Sequence, residues 1–185
     1  IALVIIFSIL TVTTTSWFEP VLFIGVMGVA IIINMGSNII FGTISFFTFA
    51  TAAILQLAVS MDYSIFLLHT FTAYKQKGME IHEALEMALR ESAGAIVASS
   101  MTTIVGFLAM ALMKFSVGRD LGFVLAKGIV ISLATVMMLM PALIMRFNEK
   151  IEKYSHRSFM PSFDSFADRM YRGRKIIIAI SLIFI

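Results

Sequence analysis

The chain has 185 residues, of which 59% are hydrophobic and 14% charged, with no cysteine. A soluble domain carries about 45–50% apolar and about 25% charged residues, so that class is excluded, as are a disordered tail and a disulfide scaffold. A mean hydropathy of +0.97 leaves a membrane protein, in which the net charge of +3 reads as a marker of sidedness and not of nucleic-acid binding.

In chain order, residues 1–15 read as a truncated span, because about 20 apolar residues are needed to cross about 30 Å of hydrocarbon. The turn Ser16-Trp17-Phe18-Glu19-Pro20 follows, with a proline suited to the first turn of a helix and a tryptophan suited to an interface. Complete spans are predicted at about 21–40, 50–72, 93–113 and 121–145. The connections at 42–49 and 114–120 are short and imply antiparallel neighbours, whereas a polar segment separates the second and third complete spans. Within that segment, residues 75–91 predict an amphipathic helix lying on the membrane. Ile81, Ala84, Leu85, Ala88 and Leu89 recur on one side, with Glu80, Glu83, Glu86 and Arg90 elsewhere on the wheel. A second such stretch, 159–171, lies in the basic linker 146–175 and puts Phe163, Phe166 and Met170 on one face. Residues 176–185 start another apolar run, so the chain begins and ends inside apolar sequence and reads as a piece of a longer protein. The expected fold is all-α, a polytopic transmembrane helix bundle.

Short cytoplasmic loops carry an excess of Lys and Arg. Lys75, Lys77 and Arg90 fall between the second and third complete spans, and eight more basic residues from Arg146 to Lys175 follow the fourth, which puts 11 of the 14 on one side. Lys114 and Arg119 fall on the other side and Lys127 falls within a span. This predicts a cytoplasmic location for 75–91 and 146–175 in a multi-pass protein of the plasma membrane.

Charges inside spans need an explanation, since one at the helix centre costs about 2.5–3.5 kcal/mol even on the lenient insertion scale. Asp62 lies about 18 Å along a path of about 30 Å, close to the midplane. It is either a structural hydrogen-bonding acid or a site that binds and releases a proton or ion. Tyr63 points about 100° away from it, so the two reach different helices. His69, seven residues on, shares the face of Asp62 about 10 Å further along and is either an interface residue or a proton relay. Lys127 either snorkels to the surface or acts as a counter-ion to Asp62, with Asp120 as an alternative partner. Ser99 and Thr103, four apart in the third complete span, share a face that either packs closely or bonds to the acid.

Enzymatic signatures are missing. His82-Glu83-Ala84-Leu85-Glu86 has Glu where a zinc-protease motif needs its second His, and no phosphate loop, dinucleotide fingerprint or nucleophile elbow is present. No cofactor, metal or nucleic-acid partner is expected.

Met61-Asp62-Tyr63-Ser64-Ile65-Phe66-Leu67-Leu68 resembles the MMPL (mycobacterial membrane protein large) family of the resistance-nodulation-division transporter superfamily. The resemblance continues through residues 86–91, Ala98-Ser99-Ser100-Met101-Thr102-Thr103-Ile104-Val105-Gly106-Phe107, Leu121-Gly122 and Met140-Pro141-Ala142-Leu143. It implies that residues 1–15 are the second helix of one half of a transporter, that the complete spans are helices three to six, and that residue 176 starts helix seven. It also implies a bacterial exporter of lipids or other hydrophobic molecules, driven by protons that pass a relay containing Asp62 and Tyr63. Its partners would be membrane lipid, the hydrophobic substrate, the external domains and the second half of the same transporter. Ser99 or Thr103 matches the region that faces the relay. Where the family commonly has two glycines before the acid, Ala58 and Ser60 stand here. The same block also resembles the sterol-sensing unit of Patched-like proteins, which implies a lipid sensor or scaffold without transport as the alternative, and SecD/SecF resembles it less closely.

Overall fold

The computed structural model describes residues 16–41 and 44–154, with residues 7, 8, 10, 11 and 14 ahead of them. The stretches at 159–171 and 176–185, and the linker beyond Tyr154, lie outside the described residues, as does most of 1–15. Among the described residues four helices are long and apolar enough to cross a membrane: α1 (Glu19–Ser37), α2 (Phe46–Gln76), α3 (Ile81–Ala111) and α4 (Ser116–Lys153). A short 3-10 turn, Asn38–Phe41, follows α1. The fold is therefore an all-α transmembrane bundle.

Local chemistry accounts for the helix ends. Pro20 sits in the first turn of α1, where no intrahelical N–H is required, and Glu19 places an acid at the positive end of the helix dipole. α2 stops at Gly78, whose φ of 87° only glycine adopts without strain, and the Gly78 N–H closes the turn on the Lys75 carbonyl at 3.0 Å. Pro141 lies inside α4, which a membrane bundle tolerates where neighbouring helices cover the freed carbonyl.

With 31 residues each, α2 and α3 are about 46 Å long, and the 38-residue α4 is about 57 Å. All three exceed the hydrocarbon thickness, so their ends project past it. This corrects the expectation of a separate membrane-surface helix at 75–91. Residues 75 and 76 end α2, a four-residue turn follows, and residues 81–91 are the first turns of α3. The apolar face of that segment is spent on the bundle, because Ala84, Leu85 and Ala88 are buried in the main core with Leu68 and Phe71 of α2. An amphipathic pattern fits a lipid surface and a helical neighbour equally well, and here the short turn selects the neighbour.

α4 packs against each of the other three helices, and α2 lies between α1 and α3. Phe23, Val26 and Met27 of α1, Leu57 and Leu67 of α2, and Ile129, Val136 and Met140 of α4 fill the core. α3 and α4 cross closely at Gly122. A Cβ there would lie 2.5 Å from the Phe107 carbonyl oxygen and 2.6 Å from the Ala111 nitrogen, so only glycine lets the backbones meet.

Antiparallel alternation gathers Lys75, Lys77, Arg90, Arg146, Lys150 and Lys153 at one end. There the Trp17 N–H donates to the Tyr154 carbonyl at 3.3 Å, the Lys75 ammonium to the Asn148 side chain at 2.9 Å, and the Tyr74 hydroxyl to Glu91 at 2.6 Å. The Lys150 ammonium lies over the Phe18 and Phe147 rings, 5.8 and 5.3 Å from their centres. These contacts tie the start of α1, the end of α2, the first turns of α3 and the end of α4 together.

Candidate functional site

The buried stripe of α2 runs through Ala52, Gln56, Ser60, Tyr63, Leu67 and Phe71, at steps of three and four residues. Asp62 falls beside that stripe and is exposed, 16 residues from the start of α2 and 14 from its end. It opens into a groove of about 410 Å³ between α2 and α3, walled by Val59, Asp62, Tyr63 and Phe66 on one side and by Ala95, Ile96, Ser99 and Thr103 on the other. The Tyr63 ring is 4% exposed and its hydroxyl is buried with no hydrogen-bond partner among the described residues. The Thr103 hydroxyl donates to the Ser99 carbonyl at 3.0 Å, which leaves its oxygen free to accept a second bond. Among the described residues no hydrogen bond joins the Asp62 carboxyl to any of these groups. The groove thus sets Asp62 opposite Ser99 and Thr103 of α3 at mid-length, while the Tyr63 hydroxyl is buried beside it, and the groove opens away from the core of the bundle.

α3 can wall this groove because it is the least covered helix. Only 11% of its apolar window is buried, against 39–44% in the other three, so most of its surface faces outward. Gly94, Ala95, Ala98 and Ser99 keep that surface low enough for another helix to approach closely.

His69 is exposed and lies two turns from Asp62, in a second groove of about 430 Å³ shared with Asp62, Tyr74, Lys77 and Glu91. Lys127 is placed elsewhere. Its ammonium donates to the Asn34 carbonyl at 3.1 Å, to the Ser37 hydroxyl at 2.9 Å and to the Asn38 side-chain oxygen, at the C-terminal end of α1. A cation there meets the orphan carbonyls and the negative end of the helix dipole, which explains a lysine within a span without reference to Asp62.

Sequence reasoning missed the polar centre of the bundle. Gln56 is fully buried, and its side-chain nitrogen donates to the Ser132 hydroxyl at 3.0 Å, the Gly128 carbonyl at 3.2 Å and the Ala30 carbonyl at 3.3 Å. Its oxygen accepts from the Asn34 amide at 2.7 Å. A Cβ on Gly128 would lie 2.6 Å from the Asn34 nitrogen and 3.2 Å from the Gln56 oxygen, so this glycine makes room for the amide pair. Asn34, Gln56 and Ser132 are uncharged, and a reading that weighed only ionisable residues passed over them. Two amides inside apolar runs were the available signal.

Helices of this length and composition, packed around a buried amide centre and carrying an acid at mid-length, define a multi-pass helical membrane protein. The sequence pattern of the MMPL family matches residues 1–167, and the chain belongs to that family. It is 42% identical over 97 residues to the membrane protein MJ1562 of Methanocaldococcus jannaschii, covering 51% of this chain and 25% of that protein. It is 31% identical over 153 residues to the membrane protein ActII-3 of Streptomyces coelicolor, covering 80% of this chain and 21% of the relative. A third relative, named Probable transport protein MmpL12, from Mycobacterium tuberculosis, is 32% identical over 89 residues, 48% of this chain and 8% of that protein. The chain therefore spans a quarter or less of the length of each of these relatives. No solved structure matches.

Proposed function

We propose that this chain is part of a secondary transporter, not an enzyme, that exports a lipid or other hydrophobic molecule and is driven by protons passing Asp62 and Tyr63. The observation that carries this reading is the groove of Asp62, Tyr63, Ser99 and Thr103 at mid-length, open on the side away from the bundle's own core. An ionisable side chain at membrane depth faces a bundle interior or a water-filled cavity, so the open side calls for a second bundle to cover it. Resemblance to a protein named as a transport protein supports the same reading.

The physical step is binding and release of one proton at the Asp62 carboxyl. Its charge state changes how well the groove accepts a neighbouring helix, and alternation between the two states moves one bundle against the other. The Ser99 and Thr103 hydroxyls supply hydrogen bonds to whichever form is present, and the buried, unpartnered Tyr63 hydroxyl becomes available to the relay as the helices shift. On this reading the basic end is cytoplasmic and the protein sits in the plasma membrane.

The test uses the full-length parent protein in inverted membrane vesicles, with a radiolabelled extract of the source membrane lipids as cargo. Asp62→Asn abolishes pH-gradient-driven lipid movement at unchanged expression. Undiminished movement contradicts the proposal and favours a domain that senses lipid without moving it, for which a pH gradient changes nothing.

A further inference from the structure

Besides the groove at Asp62, the bundle holds a smaller, partly open cavity of about 100 Å³ toward its basic end, lined by Thr14, α1 and α2. Its polar lining is Thr14, Glu19, His69, Thr72 and Gln76. Glu19 is 2% exposed, a buried acid that the proton step described above does not use. The cavity has room for several waters and enough polar partners to hold them.

Three residues line both this cavity and the open groove that contains Asp62, namely Ile65, His69 and Ala73. Of the three only His69 can take up or release a proton. The imidazole is thus the one titratable group in the wall between the space that holds Asp62 and the space that holds Glu19. Seven residues of helix put it about 10 Å from Asp62, a gap that a short water chain in the groove of about 430 Å³ can bridge.

We infer that protons leave Asp62 toward the basic end through His69 into the Glu19 cavity. This inference rests on the proton-driven reading of Asp62 and adds its exit. The Asp62 carboxyl gives its proton through water to one ring nitrogen of His69. The other ring nitrogen releases a proton into the cavity, and the Glu19 carboxylate accepts it and passes it on to water at the basic end. Each transfer breaks one bond to hydrogen and makes one, and the imidazole ends as it began, with its tautomer restored by a ring flip or by exchange with water.

Other titratable groups face His69 as well. Tyr74 comes from α2, Lys77 from the turn that follows it and Glu91 from α3, and Tyr74 and Glu91 are already bonded to one another at 2.6 Å. That pair lies on the open side and offers a side route. The cavity side has Glu19 as its one acid among the described lining residues.

The test measures proton flux through the full-length transporter in vesicles made from an extract of the source membrane lipids, under an imposed pH gradient and with a pH dye inside. Positioned proton-transfer groups are worth about 10²–10⁴-fold, so His69→Gln is expected to slow the flux by at least about tenfold. Glu19→Gln slows the flux comparably, whereas Glu19→Asp, which keeps the acid, retains most of it. The double variant His69→Gln with Glu19→Gln is no slower than the slower single variant, because the two groups act in series. Asp62→Asn is measured beside them. If it abolishes flux while His69→Gln keeps the wild-type rate, the exit route is overturned and the role of Asp62 stands. If Asp62→Asn leaves the flux unchanged, both fall together.

Discussion

Gln56 and Asp62, on the two sides of α2, meet opposite surroundings. On the inner side Gln56 is fully buried and its nitrogen and oxygen are both bonded, to Asn34, Ser132 and two backbone carbonyls. On the outer side Asp62 is exposed in a groove, and no hydrogen bond among the described residues engages its carboxyl. An amide bonded on both its nitrogen and its oxygen in low dielectric resists rearrangement and favours one packing of the helices around it. A carboxyl with open neighbours has its charge state set by whatever comes to cover it. The inner side therefore holds α2 in one rotation, and that rotation aims the acid outward.

The inner side is the easier one to break. Gly122→Ala forces apart two backbones that approach within 2.6 Å of the added methyl, and overpacking of this kind costs about 1–3 kcal/mol or more. Thermal unfolding in detergent should show it as the largest loss of stability in this set. Gly128→Ala drives a methyl against the Asn34–Gln56 pair at 2.6 Å, and a loss of about 1–3 kcal/mol is expected as buried amide groups lose partners. Stability equal to wild type for both glycine variants would mean that the helices pack differently from the geometry given above.

Lys127→Met sharpens the contrast from another direction. Removing a cation from the C-terminal end of a helix costs about 0.3–1 kcal/mol at an exposed site and up to about 2 in a partly buried one. A drop of about 1 kcal/mol in unfolding free energy with proton coupling intact is therefore the expected result, given the three acceptors that the ammonium meets on α1. Loss of coupling at unchanged stability would restore Lys127 as the counter-ion of Asp62. The smallest effect is expected from Ser99→Ala, which removes one hydroxyl from an open groove wall. Stability should stay within about 0.5 kcal/mol of wild type, and any effect should appear in the rate of proton-driven transport.

The sequence made the spans legible because lipid imposes a length and an apolar composition that few other environments impose. It also made Asp62 legible, since an acid in such a run stands out against a background with 14% charge. The four-residue spacing of Ser99 and Thr103 put them on one face, and the structure sets both in the wall of the Asp62 groove. What the sequence hid depends on pairings over long separations. Lys127 meets α1 across about 90 residues and Gln56 meets Ser132 across 76. No local pattern encodes either contact. The segment at 75–91 is ambiguous in sequence for a related reason, since its apolar face is compatible with lipid or with protein and only the geometry of the turn at Gly78 decides between them. Glu19 escaped notice because it precedes a proline at the start of a helix, where an acid is ordinary, and its burial is a property of the packed bundle alone.

The division between a structural inner side and a working outer side is tested most directly by measuring one pair of variants in the full-length protein for both proton-driven lipid movement and unfolding temperature. Asp62→Asn should abolish transport and leave the unfolding temperature within a few degrees of wild type. Gln56→Leu should lower the unfolding temperature, in keeping with the loss of about 1–3 kcal/mol of buried hydrogen bonding, and retain transport per folded molecule. The reverse pattern, a destabilised Asp62→Asn that still transports and a stable Gln56→Leu that does not, would contradict the account.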